Sequence, residues 1–264
     1  LYITQSALSK RLKAIEKELN VVLFSRSHQG VHFTPAGEEV LKYCSNAAHE
    51  LSKLRKSLDS MSDKVCGTLN AGISVNFSMY ELPDILTEYH RQYPLVKLHI
   101  TTGQSQELYK KMADGVIDIS VLRGEYTWDG FNYLLSQENI CLIFNKEFLG
   151  KPLKDFLYIG HRTDPVQAGL INRWLYENDI DIRNRSFNVN DISTCVEMVK
   201  RGLGWALIPE IALKGYNGVV KPCFFSDGEP FVRRTRILCQ RYAQELPQIK
   251  AFIDILKRIK GQNI

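Results

Sequence analysis

The sequence predicts an α/β chain: a small helix-and-hairpin head, one long helix, and then an open sheet of alternating strands and helices. Three observations point there. Residues 1–33 pair an amphipathic helix with two short alternating runs, residues 34–62 repeat apolar side chains at spacings of four and three, and short apolar runs alternate with amphipathic helices beyond Cys66.

The composition bounds the classes. With 264 residues, 44% hydrophobic and 24% charged, the chain has room for two or three compact units. It holds no run of about 18 apolar residues, which argues against a spanning helix and a membrane partner. No secretory leader is read at the start. The chain opens at Leu1 without a methionine and partway into a motif, so a natural N-terminus is expected upstream. Six cysteines, at 44, 66, 141, 195, 223 and 239, form no CxxC, so reduced thiols and a cytoplasmic location are expected. The net charge is +5, and basic residues concentrate near the start and near the end (Arg233, Arg234, Arg236, Arg241, Lys250, Lys257, Arg258, Lys260). Such clustering suits a nucleic-acid partner.

In the head, Thr4 is a plausible cap for a helix whose Ala7, Leu8, Leu12, Ile15 and Leu19 share one face. The opposite face carries Gln5, Ser6, Ser9, Lys10 and Lys13. Amides, hydroxyls and cations can bond base edges and phosphates from a helix in the major groove, although a polar helix face is more commonly just solvated. VVLFSR and VHF read as strands around SHQG, with Arg26 and His28 near the tip of the resulting wing.

Thr34 and Pro35 then start the long helix, the threonine as a cap and the proline in the first turn. Val40, Cys44, Ala47, Leu51, Leu54, Leu58 and Met61 form its heptad seam, expected to pair with a second copy.

The rest alternates. TLNAGISV is a strand, MYELPDILTEYHRQYP a helix, VKLHITTG a strand, SQELYKKMADG a helix and IDISVLRG a strand. QENICLIFN opens a second series: DFLYIGH, the helix VQAGLINRWLYEND, SFNVN, the helix DISTCVEMVKRG and WALIPE. TRILCQ and the amphipathic helix LPQIKAFIDILKRI close it.

LYITQSALSKRLKAIEKELNVVLFSR followed by HFTPAG and a long helix resembles the LysR-type transcriptional regulators, through TQSALS, EKELN, LFSR and TPAG in order. Ser6 stands where proline is common in the family, and the first helix and most of the second are absent. AGIS, YPLVKLHITTGQS, LYKKMADGVIDISVLRG and VNDISTCVEMVKRGLGWALIPE resemble the family's effector domain, two-lobed like periplasmic solute-binding proteins. The resemblance implies a partial winged helix-turn-helix at 1–34, a linker and dimerisation helix at 35–62, and an effector domain at 67–264. Lobe one would be 67–142 and 237–264, lobe two 143–236. It also implies a homodimer or homotetramer on double-stranded DNA with a palindromic operator, with Thr4, Gln5, Ser6, Ser9, Lys10 and Lys13 at the groove and Arg26 and His28 on the backbone.

Ligands of open α/β sheets sit at the C-terminal ends of strands. Three such junctions offer hydroxyls and amides beside helix N-termini: 74–78, 102–105 and 190–194. A small carboxylate or other anion is the expected effector. A lone serine there more commonly caps its own helix; the resemblance singles out Ser74, Asn76, Gln104 and Ser105. Thr102 and Gly103 complete the second junction. Arg123 would bind the anion or bridge the lobes, and Gly204 and Trp205 would line the cleft unless Trp205 is core. Arg162, Thr163 and Asp164 lie on a loop that could face it. Cys195 is either buried and inert or, as in some members of the family, an oxidant sensor.

No nucleophile with its base, metal cluster or phosphate loop is recognisable, so no enzyme, cofactor or metal is expected. The alternatives are a periplasmic-type solute-binding protein, which the heptad helix opposes, and an α/β enzyme, which lacks a visible catalytic set.

Overall fold

The computed structural model describes residues 4–27, 30–59, 64–183 and 185–260. The described chain divides into two compact units, 1–57 and 58–264.

In the first unit, helix α1 (Gln5–Leu19) starts where Thr4 accepts a bond from the Ala7 amide at 3.3 Å, and ends on Asn20 in the left-handed region. Strands β1 (Phe24–Ser27) and β2 (Gly30–Phe33) make an antiparallel hairpin, with the Phe24 and Phe33 rings 4.8 Å apart. Glu16 ties α1 to this wing by accepting from the Leu23 and Phe24 amides at 2.8 and 3.3 Å. Helix α2 (Pro35–Asp59) begins as its sequence implies, with Thr34 Oγ1 accepting from the Gly37 amide. Gly37 is required there, since a Cβ would sit 2.1 Å from the Leu23 carbonyl oxygen.

The second unit is built on one sheet. Strands β3 (Gly67–Ser74), β4 (Val96–Gly103) and β5 (Ile119–Arg123) are parallel, in the order β4-β3-β5. Beside β5 runs antiparallel β11 (Val232–Cys239), then the 14-residue β6 (Phe131–Phe144). β6 belongs to both lobes. Its residues 131–139 pair with β11, and its residues 140–144 pair with β9 (Gly204–Pro209), beyond which lie β7 (Leu157–His161) and β8 (Ser186–Val189). β10 (Val219–Pro222) pairs with the same end of β6. The ladder therefore changes partners between Asn139 and Ile140, and β11 starts at Val232, both ahead of the lobe crossings read from the sequence.

Helices cover both faces of each lobe. In lobe one, α4 (Leu82–Gln92) and α8 (Pro247–Lys260) pack Ile85, Tyr89, Ile249, Phe252 and Leu256 onto one face, while α5 (Ser105–Ala113) packs Leu108 and Met112 onto the other. In lobe two, α6 (Pro165–Glu177) seats Ile171, Trp174 and Leu175 beside Trp205, and α7 (Ile192–Lys200) seats Cys195, Val196 and Val199 beside Ile159. A buried Leu, Ile or Phe contributes roughly 1.5–3 kcal/mol, so each face is a substantial core. The helix read as beginning at Met79 is two: α3 (Val75–Tyr80) stops at Glu81, and Pro83 opens α4.

Candidate functional site

The chain runs from β3 through α4 to β4 on one side, then back through α5 to β5 on the other, so the C-terminal ends of β3 and β5 flank a switch point. Ser74 and Arg123 stand at those two ends. Facing them from lobe two are the ends of β7 and β8. The polar cavity between encloses about 40 Å³ and is lined by Ser74, Val75, Asn76, Gly103, Gln104, Ser105 and Arg123 from lobe one. Arg162, Asn190, Asp191, Ile192 and Arg233 complete it.

Its floor holds two arginines. Arg123, 2% exposed, pairs through Nη2 with Glu138 of β6, while its backbone amide donates to Ser105 Oγ at 3.0 Å. Glu138 Oε2 in turn accepts from the Ile211 amide of lobe two at 2.8 Å, so the Arg123 ion pair does bridge the lobes through Glu138. Arg233, 8% exposed, reaches Asp164 at 3.3 Å. Burial lowers both guanidinium pKa values, that of Arg233 to about 10, with each arginine's carboxylate partner opposing the effect. Burial also raises Glu138, and Arg123 opposes that rise.

Several donors here have no acceptor. Ser74 Oγ, Arg123 Nε and Nη1, and Arg233 Nε are buried without a hydrogen-bond partner. A buried donor left unmatched costs about 1–3 kcal/mol, more when charged. Asp191 is already engaged, accepting from the Thr194 amide and hydroxyl at 2.7 and 2.8 Å as the cap of α7, and these bonds hold its carboxyl below the usual range. At the rim Arg162 approaches Glu107 across the lobes at 3.7 Å, and Tyr80 approaches Ser193 at 3.5 Å.

The cavity thus gathers Ser74, Asn76, Gly103, Gln104, Ser105 and Arg123 of the residues expected from sequence. Three expected members lie elsewhere. Thr102 is exposed on β4 opposite Ile73 and does not line the cavity. Gly204 packs against Leu157, whose carbonyl oxygen a Cβ would meet at 2.1 Å. Trp205 is fully buried, its ring 4.8 Å from that of Tyr158, because β9 is a central strand covered on both faces. Cys195 is also fully buried, its thiol bonds the Ile159 carbonyl oxygen and burial pushes it up to about 12, which is the inert reading.

Sequence reasoning missed Arg233 as a site residue by counting it in a basic terminal region. That region is largely neutralised: Arg234 and Arg236 pair with Glu125, Arg241 with Asp129, Arg258 with Glu88 and Lys260 with Glu81. In the head, Thr4, Gln5, Ser6, Lys10 and Lys13 are exposed along α1 and Ser9 is partly so. Arg26 lies on β1 opposite Val31, and His28 falls outside the described residues.

Residues 1–38 match the model of bacterial regulatory helix-turn-helix proteins of the lysR family, and residues 62–260 match the LysR substrate binding domain. The chain belongs to the LysR family of transcriptional regulators. This LysR regulator is 31% identical over 258 residues to the uncharacterized HTH-type transcriptional regulator YraN of Bacillus subtilis (strain 168), covering 97% of this chain and 89% of that protein. It is 29% identical over 279 residues to the HTH-type transcriptional regulator EstR of Acinetobacter baylyi, covering 98% and 89%. Among solved structures, full-length OxyR of Pseudomonas aeruginosa superposes with a TM-score of 0.68 at 19% identity, over 97% of this chain and 86% of that one. Full-length CbnR in complex with its target DNA gives 0.65 at 17%, over 97% and 91%. Both share the fold of this LysR regulator. Its homologues are regulators, and none of its described helices is long and apolar enough to cross a membrane.

Proposed function

We propose that this regulator senses a small anion, a carboxylate or an oxyanion of similar size, in the cavity between its lobes and answers on DNA. One observation carries the ligand class: buried donors on Ser74, Arg123 and Arg233 converge without acceptors, and an anion supplies what they lack. Asn76, Gln104, Ser105 and Asn190 line the same cavity and offer it further polar contacts.

Residues 1–34 act as the reading head, 35–62 as the linker that pairs two chains, and 67–264 as the sensor. Gln5, Ser6, Ser9, Lys10 and Lys13 face the groove, with Thr4 fixing the start of their helix and Arg26 and His28 on the backbone. A pair of heads suits a palindromic operator, whether in a dimer or a tetramer, and the protein works in the cytoplasm without catalysing a reaction.

The test is a thermal-shift and titration series with acetate, succinate and sulfate. Binding should raise the melting temperature of the wild type, and Ser74→Ala should weaken it by about tenfold, the loss of one good hydrogen bond to a charged ligand. A series in which no anion shifts the melt defeats this assignment.

A further inference from the structure

The cleft holds a charge balance that an anion must upset. Resting on the anion reading above, the floor counts two buried cations, Arg123 and Arg233, against two carboxylates, Glu138 and Asp164. It is formally neutral before anything binds. Arg162 and Glu107 at the rim are both well exposed and answer mainly to water. An anion on Arg123 therefore shares one guanidinium with Glu138, and two like charges so placed cannot both stay ionised without penalty.

The geometry points to Glu138 as an unassigned member of the effector site, one that takes up a single proton from solvent when an anion occupies Arg123. Glu138 is placed for this. One side of its carboxylate meets Arg123, and the other accepts from the Ile211 amide. Glu138 and Arg123 also line a second cavity of about 370 Å³, formed with Glu81, Ser136, Gln137, Glu210 and Lys260. A proton can reach it from there without crossing the ligand. The carboxylate becomes a neutral carboxyl, no other bond changes, and Arg123 keeps its charge for the anion.

The groups facing Glu138 agree with this direction. Arg123 from β5 and Arg233 from β11 favour its ionised form, as does the Ile211 amide beyond β9, while Glu210 beside that amide disfavours it. Glu81 and Lys260 in the second cavity neutralise each other, and Cys141 on β6 is pushed up to about 11 and stays a thiol. Burial, the largest influence, already holds Glu138 above the ordinary carboxylate range, so an added negative neighbour moves it toward neutral pH.

Sulfate, which stays fully ionised from about pH 5 to 8, is the probe, with its Kd measured across that range. In the wild type the affinity should be highest at low pH and fall as pH rises, approaching tenfold per unit where one whole proton is taken up. Glu138→Gln should bind with a Kd that no longer follows pH. Should that variant not fold, Glu138→Asp keeps the acid with a shorter reach and must move the pH window. His161→Gln is the companion control, because a histidine near the cleft also titrates; retention of the wild-type profile there supports Glu138. A flat wild-type profile, or one abolished only by His161→Gln, overturns the proposal while leaving the anion site standing. Absence of sulfate and acetate binding at every pH overturns both.

Discussion

An inward-pointing arginine in a strand is disguised when its neighbours are also arginines. Arg233, Thr235 and Ile237 alternate inward on β11, whereas Arg234 and Arg236 turn outward to Glu125, and only the period of two separates the buried cation from the exposed ones. Ser74 and Arg123 were legible because each ends a strand at a junction where the fold class puts ligands. Trp205 was not, since a tryptophan after glycine before an apolar run fits a cleft wall and a core strand equally well. At this scale His161 makes a testable case. It ends β7, is 8% exposed, and burial holds its pKa below the ordinary 6.5, with its Nδ1 3.2 Å from the Arg162 carbonyl oxygen. The unfolded chain thus binds a proton that the folded one refuses. Stability from this group is complete above the ordinary histidine pKa and is lost as pH falls from there through the lowered folded value. Melting followed from about pH 8 down to about pH 5 should show a decline starting near 6.5, shallower in His161→Gln. Equal slopes in the two proteins would remove His161 from the account.

Elements whose boundaries are set by local chemistry were readable. Thr4, Thr34 and Asp191 each cap the helix that the sequence assigns to them, and Asp164 caps α6 by accepting from the Gln167 amide at 2.9 Å. β6 was readable only from Gln137 onward, because its first half is a half-buried polar mixture held by β11, a partner about a hundred residues away. Long-range pairing of this kind leaves no local mark. α2 poses the opposite case, a pattern in plain sight without a packing partner in the single chain. Leu51 and Leu54 on its seam are 59% and 56% exposed, and Cys44 and Ala47 are exposed too, while Met61 lies outside the described residues. A seam of this period is expected to be buried by a second copy. Leu51→Asp with Leu54→Asp should convert the assembly to single chains in sedimentation while leaving the melting of the sensor unit unchanged. Unaltered sedimentation would place the pairing elsewhere.

Over the whole sensor unit, one sheet runs through both lobes, and the cavity lies where β6 passes from one lobe to the other. Strand ends from lobe one and loop ends from lobe two meet there, and Glu138 on β6 joins Arg123 to the Ile211 amide across them. A ligand that prefers one lobe arrangement over another changes that linkage, and only such a difference in affinity can couple it to DNA. The alternation of strands and helices made the two-lobed class legible, but which floor charges compensate each other depends on β11 returning between β5 and β6, a matter of topology and not of any local motif.

The most direct test is the affinity of the protein for a duplex selected from a random pool, followed by fluorescence anisotropy with and without the anion that binds best in the thermal-shift series. The account predicts a several-fold change in Kd on adding that anion, its loss in Arg233→Gln, and in Lys10→Ala a weaker complex whose salt slope is smaller by about 1. A selected duplex whose affinity ignores the anion, or whose salt slope ignores Lys10, would contradict it.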